Sequence, residues 1–158
     1  ILLSIDLRNI IQHNDLRYLS SPFMTTLRFQ HGERLKSRKE IERLFKAGSN
    51  ACMGYPLRLV WRPMERRRSE FPVQMTVSVS KKRFKRAVDR NRVKRLVREA
   101  YRLNKSALFE ELAAEEQQLA WMIIFVGKEL PEYQQVEKAM KKLLRKFLRQ
   151  YQEQSTND

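Results

Sequence analysis

Apolar residues recur along three segments of the chain with the spacing of β-strands. Residues 73–80 alternate regularly between apolar and polar side chains, as in a strand with one buried face. Residues 55–61 alternate in the same way, whereas residues 119–126 are almost entirely apolar, which is typical of a central strand. The pattern therefore predicts three strands, and residues 49–53 could add a short strand before the first.

Two further segments repeat apolar residues with a helical period. Ser37 and Glu40 stand three residues apart, as in a capping box, and Gly48 supplies a stop signal, so we expect a helix over 38–47. Pro131 is placed to open a long final helix. Its apolar stripe is Val136, Met140, Leu143, Leu144, Phe147, Leu148 and Tyr151. Lysines and arginines cover the other side of this helix. The simpler interpretation is that the apolar stripe packs on the core and the charged side faces solvent.

The most strongly patterned helix is predicted within residues 81–102, which separate an apolar side from a cationic side. The apolar side consists of Val93, Leu96, Val97 and Ala100, and Leu103, directly after the segment, extends it. The opposite side consists of Arg90, Asn91, Lys94, Arg95, Arg98 and Arg102. Four of these cations are spaced four residues apart, and each such pair destabilises an isolated helix by about 0.2–0.5 kcal/mol. Packing of the apolar side or a bound anion must therefore offset the repulsion. After Asn104, residues 106–118 predict a separate acidic helical piece.

The order of these elements, helix, two or three strands, helix, strand and helix, predicts an α+β fold, an α/β sandwich with a mixed sheet. A chain of 158 residues suggests one domain, which we expect over residues 24–151. Residues 1–23 are expected to be a disordered or non-native extension, since Met24 is a candidate natural start, and residues 152–158 a polar, frayed tail.

The net charge of the chain indicates the class of partner that it binds. Its 33 Lys and Arg against 18 Asp and Glu give a net charge of +15, which favours a polyanionic partner such as nucleic acid. No apolar run is long enough to span a bilayer, and we expect no membrane partner. A single cysteine excludes an internal disulfide and a thiolate zinc cluster, which fits a cytoplasmic setting.

Residues able to carry out nuclease chemistry are scarce. The chain has only two histidines, His13 and His31, and no clustered acids that could hold a metal ion. Asp89 stands among cations, where it is expected to stabilise a helix N-terminus. We therefore predict an RNA-binding surface with no catalytic residue and no metal ligand in the polypeptide.

Two stretches carry a resemblance to a known family. Residues 77–82 read Val-Ser-Val-Ser-Lys-Lys, and residues 87–101 contain Arg-Asn-Arg followed two residues later by Lys-Arg. Together with residues 35–48, which look like that family's first helix, they closely resemble the protein subunit of bacterial ribonuclease P. The resemblance covers about residues 34–151.

The resemblance implies an activity that composition does not indicate. Ribonuclease P is an endoribonuclease that removes the 5′ leader of precursor tRNA, and its RNA subunit is catalytic, with Mg²⁺ bound mainly through that RNA. The protein would bind the ribonuclease P RNA and the leader, and we expect it to be monomeric in the holoenzyme. The implied fold is ribosomal-protein-like, with a left-handed β-α-β crossover at the basic helix, against the usual right-handed preference.

The family's functional residues can be carried over to matching positions. The RNA-binding set comprises Lys81, Lys82, Lys85, Arg90, Asn91, Arg92, Lys94, Arg95, Arg98 and Arg102. Phe45 matches an aromatic residue of the leader-binding cleft, and its companion one turn earlier, aromatic in many members, is Ile41 here. Leu59 and Trp61 are both candidates for the sheet residue of that cleft, although Trp61 could equally be a core residue. Thr76 and Phe84 stand near positions where many members have glycine.

Three alternative functions each require different features of the sequence. A ribosomal or general RNA-binding protein of similar fold would have no role in tRNA processing. A stand-alone protein ribonuclease would need paired histidines or acid ligands, which the patterned segments lack. A DNA-binding basic helix would need a dimerising heptad run, which is also missing.

Overall fold

The computed structural model describes residues 28–157, so the predicted extension over 1–23 lies outside the described residues. The helices are α1 (Arg38–Leu44), α2 (Ala87–Glu111) and α3 (Tyr133–Asn157). The strands are β1 (Asn50–Gly54), β2 (Leu57–Pro63), β3 (Val73–Val79) and β4 (Leu119–Phe125). A short 3₁₀ turn, His31–Glu33, precedes α1. None of these helices is both long and apolar enough to cross a membrane.

The four strands form one mixed sheet in the order β1-β2-β4-β3. Strand β2 is antiparallel to both β1 and β4, whereas β3 and β4 run parallel. Helix α2 therefore connects two neighbouring parallel strands, and the loop that leads into it follows β3 directly. This arrangement confirms the predicted α+β fold with a mixed sheet, a β-α-β unit and an additional short strand. The left-handed crossover remains a prediction.

The side chains of the sheet divide into two faces because alternate residues of a strand point in opposite directions. One face packs against α2 and α3 and forms the larger core. In this core the ring centroid of Phe147 lies 5.1 Å from that of Trp61 and 4.5 Å from that of Trp121. The other face is covered only in part, by α1. Its smaller cluster is Leu35, Leu44, Met64, Ala120 and Met122.

Helix α2 is longer than predicted and includes residues that were expected to form a separate acidic helix. Asn104 does not end it, and its side-chain amide donates to the Ala100 carbonyl (2.8 Å) within the helix. Leu108 and Phe109 continue the buried side of α2 to its C-terminus. Leu103 is 40% exposed, so its predicted place on the apolar side is wrong, and Tyr101 is buried instead.

The other helices also differ from their predicted bounds. Helix α1 ends at Leu44 rather than at residue 47, and Ser37 caps it by accepting from the Glu40 amide (3.4 Å). The carboxylate of Glu40 accepts from Arg43 (2.8 Å) rather than reaching back to the cap. Helix α3 continues to Asn157 and so includes most of the predicted polar tail, whose fraying remains a prediction.

A buried ion pair attaches the segment before α1 to α2. The Lys105 ammonium lies 2.6 Å and 2.8 Å from the two carboxylate oxygens of Glu33, and both side chains are almost fully buried. Lys105 also donates to the Arg28 carbonyl (2.8 Å), and Glu33 accepts from the Gln30 amide (2.7 Å). Every polar atom of this pair therefore has a partner, as burial of a charge requires.

Candidate nucleic-acid interface

The loop between β3 and α2 exposes a cluster of cations. Phe84 anchors this loop, because its ring is buried and lies 5.8 Å from the ring of Phe125. Its amide also donates to the Ser80 carbonyl (3.0 Å). The neighbouring side chains extend outward and are exposed: Lys81, Lys82, Arg83, Lys85 and Arg86. The Phe84 ring thus fills the end of the core beneath the loop.

The outer side of α2 continues this cationic surface. Asn91, Arg92, Arg95 and Arg98 are exposed, whereas Lys94 is half-buried. The opposite side of the helix places Val93 and Val97 in the core with no exposure. Packing of α2 on the sheet therefore holds the arginines apart from the core and offsets their mutual repulsion. We call the exposed cations of the loop and of α2 the α2 face.

Arg90 differs from the other cations of the motif. One of its terminal nitrogens donates to the carbonyls of Phe84 (2.8 Å) and Lys85 (2.7 Å), and the side chain is half-buried. Arg90 therefore joins the first turn of α2 to the preceding loop and holds the loop in place. Its predicted contact with RNA remains a prediction.

Charged residues near both ends of the predicted cationic side also interact with other residues of the protein. Arg102 forms two hydrogen bonds with Glu99 (2.6 and 3.0 Å). These bonds lower the pKa of the Glu99 carboxyl and raise that of the Arg102 guanidinium. Arg98 is exposed overall, but desolvation of the part of its side chain that faces the protein lowers the pKa of its guanidinium, and the neighbouring charge of Arg34 acts in the same direction. Asp89 lies in the first turn of α2, 3.7 Å from Arg86, as expected for an acid at a helix N-terminus.

A cleft of about 370 Å³ lies on the opposite face of the sheet, beside the end of α1. Phe45, the residue that follows α1, has 72% of its surface exposed at the edge of this cleft. The other lining residues are Leu44, Lys46, Ser49, Ala51, Arg58, Val60, Met122 and Ile124. Arg62 holds the end of α1 near β2 by donating to the Arg43 carbonyl (3.2 Å). We call this depression the Phe45 cleft.

The prediction that Leu59 or Trp61 lines the cleft is wrong. Both side chains are buried, with 0% and 1% exposure, in the core beneath α2 and α3. Because side chains alternate along β2, the residues that face the cleft are Arg58 and Val60. The alternation along β2 indicates that Arg58 and Val60 face away from Leu59 and Trp61. The sequence does not indicate, however, which of these two faces α1 covers. Ile41 packs half-buried against the smaller cluster under α1.

No residues with obvious catalytic chemistry converge on either surface. Within residues 28–157, no three side chains among His, Cys, Asp and Glu are grouped so that they could hold a metal ion. Burial raises the pKa of the Cys52 thiol to about 11, so that it is protonated at neutral pH and a poor nucleophile. The exposed cations and the exposed ring of Phe45 give these surfaces the chemistry to bind polyanions and to stack bases.

An exposed cationic helix on a mixed sheet, with an open aromatic cleft on the other face, defines a basic α+β protein suited to binding nucleic acid. A sequence model of the family described as Ribonuclease P matches residues 29–148. The chain therefore belongs to the ribonuclease P protein family, and it acts as the protein component of that endoribonuclease in partnership with the ribonuclease P RNA. A ribosomal or general RNA-binding protein is not favoured.

Individual relatives agree with this assignment. The chain is 48% identical over 128 residues to the ribonuclease P protein component of Porphyromonas gingivalis, covering 80% of this chain and 89% of that protein. It is 34% identical over 121 residues to the corresponding protein of Chlorobium phaeobacteroides, covering 71% of this chain and 82% of that protein. The solved structure of the RNase P protein of Staphylococcus aureus has a TM-score of 0.54 at 19% identity, covering 72% of this chain and 93% of that one, and supports a shared fold.

Proposed function

We propose that the α2 face binds the RNA subunit of ribonuclease P while the Phe45 cleft binds the 5′ leader of precursor tRNA. The RNA subunit would cleave the substrate, with Mg²⁺ bound mainly through RNA. The polypeptide would raise the affinity for substrate and metal without contributing a catalytic group. The protein would act as a monomer in the holoenzyme and in the cytoplasm, where a single free cysteine is typical.

The distribution of charge supports RNA binding at the α2 face. Asn91, Arg92, Arg95 and Arg98 are exposed next to five exposed cations of the loop over 81–86. Arginine donors suit phosphate oxygens because the planar guanidinium can form two parallel hydrogen bonds. Asn91 offers both a donor and an acceptor to a base edge or a sugar. A polyphosphate chain would offset the repulsion among these side chains.

The chemistry of the Phe45 cleft supports binding of a single strand. An exposed aromatic ring offers a stacking surface for a base, and Lys46 and Arg58 line the same cleft as cations for the backbone. Val60, Met122 and Ile124 form an apolar floor. The sheet separates this cleft from α2, so the leader and the RNA subunit would occupy different faces of the protein.

The proposal is tested by reconstitution. The purified full-length chain is mixed with a bacterial ribonuclease P RNA and precursor tRNA at low Mg²⁺, with each component also assayed alone. We expect release of the 5′ leader only from the mixture, because neutralised phosphates lower the Mg²⁺ concentration that the RNA requires. Cleavage by the nucleic-acid-free protein, or no stimulation of the RNA, would contradict the proposal.

Replacing Phe45 with alanine tests the leader site. We expect the reconstituted holoenzyme to bind leader-bearing precursor roughly tenfold more weakly, since one stacked base contributes about 1–3 kcal/mol. Binding of mature tRNA, which has no leader, should be unchanged in the same equilibrium assay. Phe45→Tyr keeps the stacking ring and serves as the matched control. Equal losses for both RNAs would indicate that Phe45 has only a structural role.

A further inference from the structure

A second groove lies at the turn between β1 and β2, away from the Phe45 cleft. It has a volume of about 690 Å³ and is bounded by this turn, the loop after β4 and the first turns of α3. The sequence patterns did not indicate it, because its walls come from three separate parts of the chain. The residues on which its chemistry depends are Tyr55, Lys128, Leu130, Lys138 and Lys142.

Specific contacts hold the walls of this groove together. Gly54 brings β1 close to α3, since a Cβ atom there would lie 3.0 Å from the Ala139 carbonyl oxygen and 3.2 Å from the Leu143 nitrogen. The Val126 amide donates to the Pro56 carbonyl (2.8 Å) and so joins the turn to the loop after β4. These contacts lie next to Tyr55 and hold it at the mouth of the groove.

The side chains of the groove resemble a platform for a base with cations beside it. Tyr55 is 68% exposed and Leu130 is 40% exposed, so both present apolar surface to solvent at the groove. Lys128, Lys138 and Lys142 are exposed, and none forms an ion pair within the described part of the chain. Two glutamates also line the groove, so its cationic excess is modest and an aromatic contact must supply much of the affinity.

The groove lies next to the cationic loop of the α2 face. Phe125 lines the groove and packs against Phe84, the anchor of the cationic loop. Arg83 of the same loop donates to the Val126 carbonyl, next to the groove residue Gly127. Phe125 belongs to the core beneath α2 and α3, whereas the Phe45 cleft lies on the opposite face of the sheet. A strand bound along the α2 face could therefore continue into the groove without meeting the leader.

We propose that this groove binds unpaired nucleotides of the ribonuclease P RNA, with a base stacked on Tyr55 and phosphates held by Lys138 and Lys142. The inference rests on the proposed function, because it extends the surface assigned to the RNA subunit. Stacking on an aromatic ring tolerates any base, whereas the two lysines act as point charges. The groove thus adds affinity for single-stranded RNA rather than recognition of a sequence.

The test measures binding of bacterial ribonuclease P RNA to full-length variants over a series of salt concentrations. Tyr55→Ala is expected to weaken binding by about fivefold or more, since each stacked base contributes about 1–3 kcal/mol. Tyr55→Phe keeps the ring and should bind within about twofold of the unmodified protein. Lys138→Gln combined with Lys142→Gln should make the salt dependence less steep by about 1–2 in log–log slope.

Arg149→Gln is the matched control, because Arg149 is exposed on α3 but does not line the groove. Unchanged affinity and slope for the Tyr55 and lysine variants would overturn the inference. A change of oligomeric state in sedimentation without loss of RNA affinity would also overturn it, in favour of a protein contact. Arg92→Gln separates the two proposals: if it loses affinity while the groove variants do not, only the inference fails. If Arg92→Gln also binds normally, the proposed α2 face fails.

Discussion

Replacing Lys105 with methionine is expected to lower the free energy of unfolding by about 3–5 kcal/mol. The variant leaves the Glu33 carboxylate with no exposure and without the ammonium that lies 2.6 Å from it. An uncompensated buried charge is costly because the protein interior replaces little of the hydration that the charge loses. Urea unfolding followed by circular dichroism measures the effect. The N-terminal segment is expected to detach from α2 in the same variant.

Two controls separate burial from charge in this experiment. Arg38→Gln breaks an exposed ion pair with Glu42, which is expected to cost at most about 0.5 kcal/mol. Glu33→Leu combined with Lys105→Met removes both charges and should recover most of the stability lost in the single variant. A single Lys105 variant as stable as Arg38→Gln would contradict the role assigned to the pair.

Replacing Arg92, Arg95 and Arg98 together with glutamine is expected to weaken binding to ribonuclease P RNA roughly 100-fold, at about 1 kcal/mol for each lost contact. These three side chains are exposed on the α2 face, so the substitution leaves the packing of the helix intact. The slope of log affinity against log salt should become less steep by about 2–3, because fewer counterions are released. Filter binding at several salt concentrations measures both quantities.

A charge-matched variant makes this result specific to position. Glutamine at Lys141, Arg145 and Arg149 removes the same charge from exposed positions on α3. It should weaken binding only slightly, since these side chains lie outside both the α2 face and the groove at Tyr55. Equal losses for the two triple variants would mean that net charge, rather than the α2 face, determines RNA affinity.

Much of the fold could be predicted because its signals are local. The alternation over 73–80 and the apolar run over 119–126 each identify a strand, and the separation of valines from arginines identifies α2. The length of α2 was harder to predict from the sequence. A change from basic to acidic residues after Asn104 resembled a boundary, but the helix continues because Leu108 and Phe109 still pack on the core.

Features that depend on tertiary arrangement could not be predicted. The alternation of β2 separates Leu59 and Trp61 from Arg58 and Val60, but both sets meet a covering layer, and only the packing shows which set faces α1. The Glu33–Lys105 pair joins residues 72 positions apart, with no local pattern to connect them. The family resemblance, rather than the local pattern, identified Phe45, because the sequence placed this residue within a helix over 38–47, whereas it follows the end of α1 and is 72% exposed.

The two hydrogen bonds of Arg90 fix the position of the loop that precedes α2. A guanidinium that spans the carbonyls of Phe84 and Lys85 works as a structural brace, and its shape matters there as much as its sign. Asn91 and Arg92 are exposed beside it, so in the proposed complex they would remain able to change contacts, whereas the brace would persist. The Arg-Asn-Arg sequence therefore combines one residue that fastens the loop with two exposed residues that the proposed interface would use.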